Sequence, residues 1–196
     1  MLQGDWAIFR KMFLQGKLVD AIKKNVDIGM KNAALLIAKN IRTGVQTQKY
    51  KKLWKDLSPI TLAAKSPKTK LLINQGSMLK SVQTIFPKFG VALIGIPTGT
   101  KAPTGNIPMW KIGSVHENGD NGSPLVIRPK KAKRLFIPIS KAAQNRQSGL
   151  KYGEDFILAK KVTIPIRPWI QPAYADSQND VDTILEKSIK NAINQF

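Results

Sequence analysis

The chain has no cysteine and a single histidine among its 196 residues. The first absence excludes disulfide scaffolds, thiol nucleophiles, Cys-ligated zinc and iron–sulfur clusters. The second leaves His116 without the companion imidazoles that a multi-histidine zinc site requires. Acid is scarce: 12 Asp plus Glu face 32 Lys plus Arg, a formal charge of +20. Long apolar runs are missing, since no stretch approaches the roughly 18 uncharged residues that a spanning helix needs. The opening MLQGDWAIFRKMF sets Asp5 and Arg10 inside its apolar pattern, unlike a signal peptide. The expected setting is a cytoplasm, or a particle assembled in one. A hydrophobic fraction of 42% and a charged fraction of 22% are ordinary for a folded chain and argue against wholesale disorder.

Catalytic patterns are equally thin. No G-x-S-x-G elbow accompanies His116, which sits beside Glu117 in a turn-rich stretch, so a structural or hydrogen-bonding role is expected for it. Glu154 and Asp155 are adjacent and would point to opposite faces of a strand, as a solvated strand start does. The stretch Glu117–Gly122 lacks the ligand order of a calcium loop. In Gly95-Ile96-Pro97-Thr98-Gly99-Thr100-Lys101 the glycines are too close for a phosphate loop, and Pro97 removes an amide donor. No catalytic set, cofactor or metal site is predicted, and the chain is read as a non-enzyme.

Periodicity gives the layout. Leu2, Trp6, Phe9 and Phe13 form a helical stripe that stops near Gly16. Leu18, Ile22, Val26, Met30, Ala33, Ile37 and Ile41 form a second one, ending at Arg42-Thr43-Gly44 as a basic turn followed by glycine does. The helical segment is therefore 2–44. Ser58 before Pro59 predicts an N-cap and a short helix over 58–65. A second short helix is expected at 76–81, where Gly76 suits a positive φ, as Gly119 does further on. From 82 the period becomes two, giving a hairpin over 82–86 and 91–96, then strands at 125–127, 135–139 and 156–164. A closing helix starts near Pro172. The fold class is α+β: N-terminal helices, one antiparallel sheet and a C-terminal helix packed on it, in a single domain 1–196 with an inserted basic hairpin or loop region at about 120–153.

The basic residues are the anomaly. Between 39 and 80 there are ten against the single Asp56, and five of the seven positions 128–134 are basic. Lys49, Lys51, Lys52, Lys55, Arg128, Lys130, Lys131, Lys133 and Arg134 are candidate contacts for a polyanion or a protein partner. No helix-turn-helix, zinc finger or RNP motif accompanies them, so any nucleic-acid binding would be non-specific.

Three ordered elements resemble the phage virion-morphogenesis and tail-completion family, including the Mu-like neck proteins. They are Trp54-Lys55-Asp56-Leu57-Ser58-Pro59 continuing through Leu71 to Gly76 and Ser81; Val115-His116-Glu117-Asn118-Gly119; and Ile164-Pro165-Ile166-Arg167-Pro168-Trp169-Ile170. The resemblance covers roughly 20–196. It implies a structural virion protein, a subunit of a closed ring, hexameric, that completes the tail or joins it to the head. Its expected partners are sister copies and neighbouring neck and tail proteins, with DNA passing through the channel and no membrane. It would sit in the virion after assembly in the host cytoplasm. Trp54, Gly76, His116, Gly119, Pro165, Arg167, Pro168 and Trp169 are its motif residues. In the last element, Pro165 and Pro168 would stiffen the turn, Trp169 would anchor it in the core, and Arg167 would donate to a carboxylate or a carbonyl. The alternative is a non-specific nucleic-acid-binding protein using the basic clusters.

Overall fold

A computed structural model of the chain describes residues 10, 11, 13, 15–59, 61–62, 70–73, 76–103, 107–140, 143, 145 and 148–194. The stripe of Leu2, Trp6 and Phe9 and the end of the predicted 58–65 helix lie outside them. In chain order the elements are α1 (Lys17–Gln46), a 3-10 turn (Lys51–Leu53), α2 (Ser77–Lys80), β1 (Gln83–Lys88), β2 (Val91–Gly95), α3 (Met109–Asn118), β3 (Leu125–Ile127), β4 (Leu135–Pro138), β5 (Phe156–Ala159), β6 (Val162–Ile164) and α4 (Gln171–Ile193). The class is α+β. The strands form three separate antiparallel ladders, β1–β2, β3–β6 and β4–β5, where one sheet was expected. Proline is one reason: Pro124, Pro129, Pro138 and Pro165 stand at or beside the ends of β3, β4 and β6, and each lacks the donor that would lengthen a ladder. The predicted strand 156–164 breaks at Lys160-Lys161. Its halves pair with different partners, Phe156–Ala159 with β4 and Val162–Ile164 with β3.

The chain divides into two compact units. Unit 1 holds 1–41, 82–95 and 173–196; unit 2 holds 42–81 and 96–172. In unit 1 the predicted stripe of α1 is buried at Ala33, Ile37 and Ile41 and half-buried at Leu18, Ile22, Val26 and Met30; Ala34 and Ala38, outside that stripe, are buried too, and Gly16, with φ at +71°, precedes the helix as its sequence suggests. Ala173, Ser177 and Ala192 are the buried positions of α4 in this unit. Small residues let the two helices approach closely, and Asn40 Nδ2 then donates to Ser177 Oγ at 2.9 Å. The unit is completed by the β1–β2 hairpin, in which Ile85 lies opposite Leu93 and Gly90 makes the turn at φ +72°.

In unit 2 the helix runs two residues beyond Gly44, the stop its sequence suggests. Gly44 is helical and lies under the Tyr50 ring, which leaves no room for a side chain. The stop passes to Gln48, which adopts φ +59° and ties the connection down: its amide donates to the carbonyls of Val45 and Leu71 and accepts from Leu71 N at 2.9 Å. Ser58 caps as expected, its Oγ accepting from Thr61 N at 3.3 Å, with residues 59, 61 and 62 helical. Val45, Tyr50, Trp54, Leu71, Met78, Leu79, Met109 and Trp169 are the large buried side chains of this unit.

Candidate functional site

Three distant stretches of unit 2 meet around one strap, Pro165–Gln171. Trp169 is wholly buried, as its role in the core requires, and its indole Nε1 donates to Gly113 O at 3.3 Å. Trp54, 5% exposed, donates from its own Nε1 to Pro168 O at 2.6 Å. Arg167, 6% exposed, donates to two carbonyls, from Nε to Lys55 O at 2.8 Å and from Nη2 to Asp56 O at 3.2 Å. Burial pushes the guanidinium below its ordinary pKa, and the nearby Asp56 carboxylate pulls it back up. The Arg167 backbone N–H donates to His116 O at 2.7 Å.

His116 and Glu117 belong to the last turn of α3; the turn-rich stretch in which sequence placed them begins beyond it, at Gly119. Glu117 is the residue that sequence reasoning missed. Its Oε2 accepts from Trp169 N at 2.7 Å and Ile170 N at 2.9 Å, and its Oε1 from Gln171 N at 2.8 Å. These amides open α4, whose first donors have no partner within the helix, so a carboxylate from another element caps it and offsets the dipole. A lone acid 52 residues upstream carries no local signal for this.

Gly119 ends α3 with φ at +70°, and a Cβ there would run into the Ser123 carbonyl. Gly119→Ala is therefore expected to destabilise unit 2 by at least about 2 kcal/mol, combining left-handed strain with a backbone clash. Thermal unfolding should show the drop, while an unchanged midpoint would mean that the 119–123 turn has another conformation. Gly76, with φ at +75°, leads into α2, as expected.

A groove of about 880 Å³ runs beside the strap. Its walls come from Lys55–Ser58 and Thr61, from Leu72 and Gly76–Met78, from Ala102 and Pro103, from Met109, Ile112 and His116 of α3, and from Val162–Pro165 and Arg167. That size is typical of a ligand or peptide cleft, and its lining is largely apolar with a few polar groups. Three successive residues of β6 line it, while no residue of β3 does. Neighbouring strand residues point to opposite faces, so the groove follows the β6 edge that β3 leaves open. Among the described residues no group of three His, Asp or Glu is placed to hold a metal ion.

Of the predicted motif residues, Trp54, His116, Arg167, Pro168 and Trp169 come together here; Gly76 and Pro165 line the groove and Gly119 closes α3. All nine predicted basic contacts are exposed and lie in unit 2: Lys49, Lys51, Lys52 and Lys55 flank the 3-10 turn, and Arg128, Lys130, Lys131, Lys133 and Arg134 form the β3–β4 connection. Unit 2 carries 22 Lys plus Arg against 5 Asp plus Glu, so +17 of the net charge is its own.

No family model and no solved structure matches the chain. The chain is 31% identical over 145 residues, spanning 66% of its own length and 70% of the relative's, to the ER membrane protein complex subunit 8/9 homolog of Dictyostelium discoideum. That likeness overturns the resemblance to phage tail-completion proteins. With it fall the hexameric neck ring, the neck and tail partners, the DNA in the channel, the exclusion of a membrane setting and the virion location, and also the nucleic-acid-binding alternative. The geometry explains the error. Trp54, Arg167 and Trp169 hold the strap through indole and guanidinium bonds to backbone carbonyls, so their spacing reports how unit 2 packs, whatever the unit serves. Among the described residues no helix is long and apolar enough to cross a membrane.

Proposed function

The chain belongs to the family of ER membrane protein complex subunit 8/9 homologues, and on that premise we propose that it is a non-catalytic subunit of such a complex. It works by holding an extended segment of a neighbouring subunit in the groove of unit 2. The observation that carries this reading is the edge of β6 along the groove, which pairs with no strand among the described residues. An extended segment can add there as a third strand, its backbone pairing with β6 and its apolar side chains entering between Met78, Met109 and Ile112. A two-stranded ladder of three-residue strands is short of partners by itself, and a third strand stabilises it. The net charge of +17 on unit 2 favours an acidic segment, because it would repel a basic one.

The test is to express the tagged chain in Dictyostelium discoideum cells lacking the relative, then to fractionate detergent-solubilised membranes by size. The chain is expected to migrate with the complex. Thr163→Trp, which fills the groove from an exposed strand position, should lower its recovery there about tenfold or more, as blocked strand addition would. Migration of the unaltered chain as a free monomer would refute the reading.

A further inference from the structure

The β1–β2 hairpin of unit 1 exposes apolar side chains that no packing need accounts for. Ile85 and Leu93 face each other across the ladder and are 46% and 55% exposed. At the tip, Phe86-Pro87-Lys88-Phe89-Gly90 sets two exposed phenylalanines, Phe89 at 57%, on either side of an exposed lysine. Isolated exposed apolar residues are ordinary; four within a thirteen-residue hairpin, two of them at its tip, are a concentration that calls for a partner. Within 82–95, the stretch of unit 1 that forms the hairpin, Lys88 is the only charged residue and there is no Asp or Glu.

We propose that this hairpin is a wedge for an anionic lipid surface. Phe86 and Phe89 at the tip enter the headgroup–acyl boundary, and Lys88 between them reaches back to the headgroups. The chemistry favours lipid over a second copy of the chain. Lys88 at each tip opposes the pairing of two copies, whereas anionic headgroups attract it, and the hairpin itself carries no carboxylate that those headgroups would reject. Aromatic rings next to a lysine suit the interfacial layer, which is apolar on one side and wet on the other. This site is separate from the groove and does not depend on what the groove binds.

The experiment uses the purified full chain and vesicles of phosphatidylcholine, with or without about 30% phosphatidylserine, at about 0.1 M salt. The chain has no cysteine, so Phe89→Cys carries an environment-sensitive fluorophore at a single position, and Asp182→Cys on α4 serves as the exposed control. The position-89 label is expected to shift to the blue and be quenched by spin-labelled lipid on the anionic vesicles only, with the control unchanged. Phe86→Ser/Phe89→Ser, at exposed positions the fold does not need, should weaken binding about tenfold or more. The proposal is overturned if the label stays in water, if phosphatidylcholine alone binds equally, or if the double variant binds like the parent. It is equally overturned if the blue shift arises without lipid and grows with protein concentration, which would identify the hairpin as an interface between copies.

Discussion

Trp169→Ala is expected to destabilise unit 2 by about 3–5 kcal/mol, the range for truncating a buried large aromatic. The side chain is wholly buried, and Gly113 leaves room for it: a Cβ at that glycine would stand 3.3 Å from the indole. Truncation therefore opens a cavity and also orphans the Gly113 carbonyl that the indole N–H satisfies. Trp169→Phe keeps most of the volume and loses the donor, so it should cost about 1–2 kcal/mol. Urea unfolding followed by circular dichroism separates the two. A Trp169→Ala midpoint close to that of the parent would show that the strap is not anchored where the structure places it.

Glu117→Ala has the next largest expected effect, roughly 2–4 kcal/mol, because three backbone donors lose one charged acceptor and the helix start loses its cap. Glu117→Gln retains a carbonyl oxygen but no charge and should fall between the two. The local reading is sharper than the global one: amide hydrogen exchange at Trp169, Ile170 and Gln171 should accelerate together in Glu117→Ala. If those amides exchange as in the parent while stability falls, the carboxylate acts elsewhere and the capping account is wrong. Both predictions concern α3 and the strap, which fix one wall of the groove, so both variants should also weaken whatever the groove holds.

Much of the local structure was legible in the sequence because its causes are local. The stripe from Ala33 to Ile41 declared the buried face of α1, Ser58-Pro59 declared a helix start, and the period of two over 82–86 and 91–96 declared the hairpin. Arg167 and Trp169 were legible as well, since a proline-flanked arginine and tryptophan admit few arrangements other than the observed one. What stayed hidden depends on residues far apart in sequence. Glu117 caps a helix whose first turn lies more than fifty residues away. Gly44 reads as a helix stop until the Tyr50 ring is seen above it. The run 156–164 is uniformly strand-like, and only the identity of its partners, β4 and β3, divides it.

The functional site was legible in part, and what it was for was not. The sequence brought forward the residues that hold the groove wall, yet those residues are architectural, so their order invited a family assignment that the 31% identity to an ER membrane protein complex subunit homolog overturns. The groove itself is built from five separate stretches of unit 2 and has no contiguous signature. The open edge of β6 is likewise a property of pairing, invisible until Val162–Ile164 is seen to pair with β3 alone among the described residues.

Hydrogen–deuterium exchange on the assembled complex, compared with the free chain, tests the central claim most directly. A segment added along β6 would protect the backbone amides of 162–164 on assembly, with the largest change at those facing the groove, and Thr163→Trp would abolish that protection. Exchange across 162–164 that is the same in the free chain and in the complex would contradict the account, because the open edge would then have gained no strand.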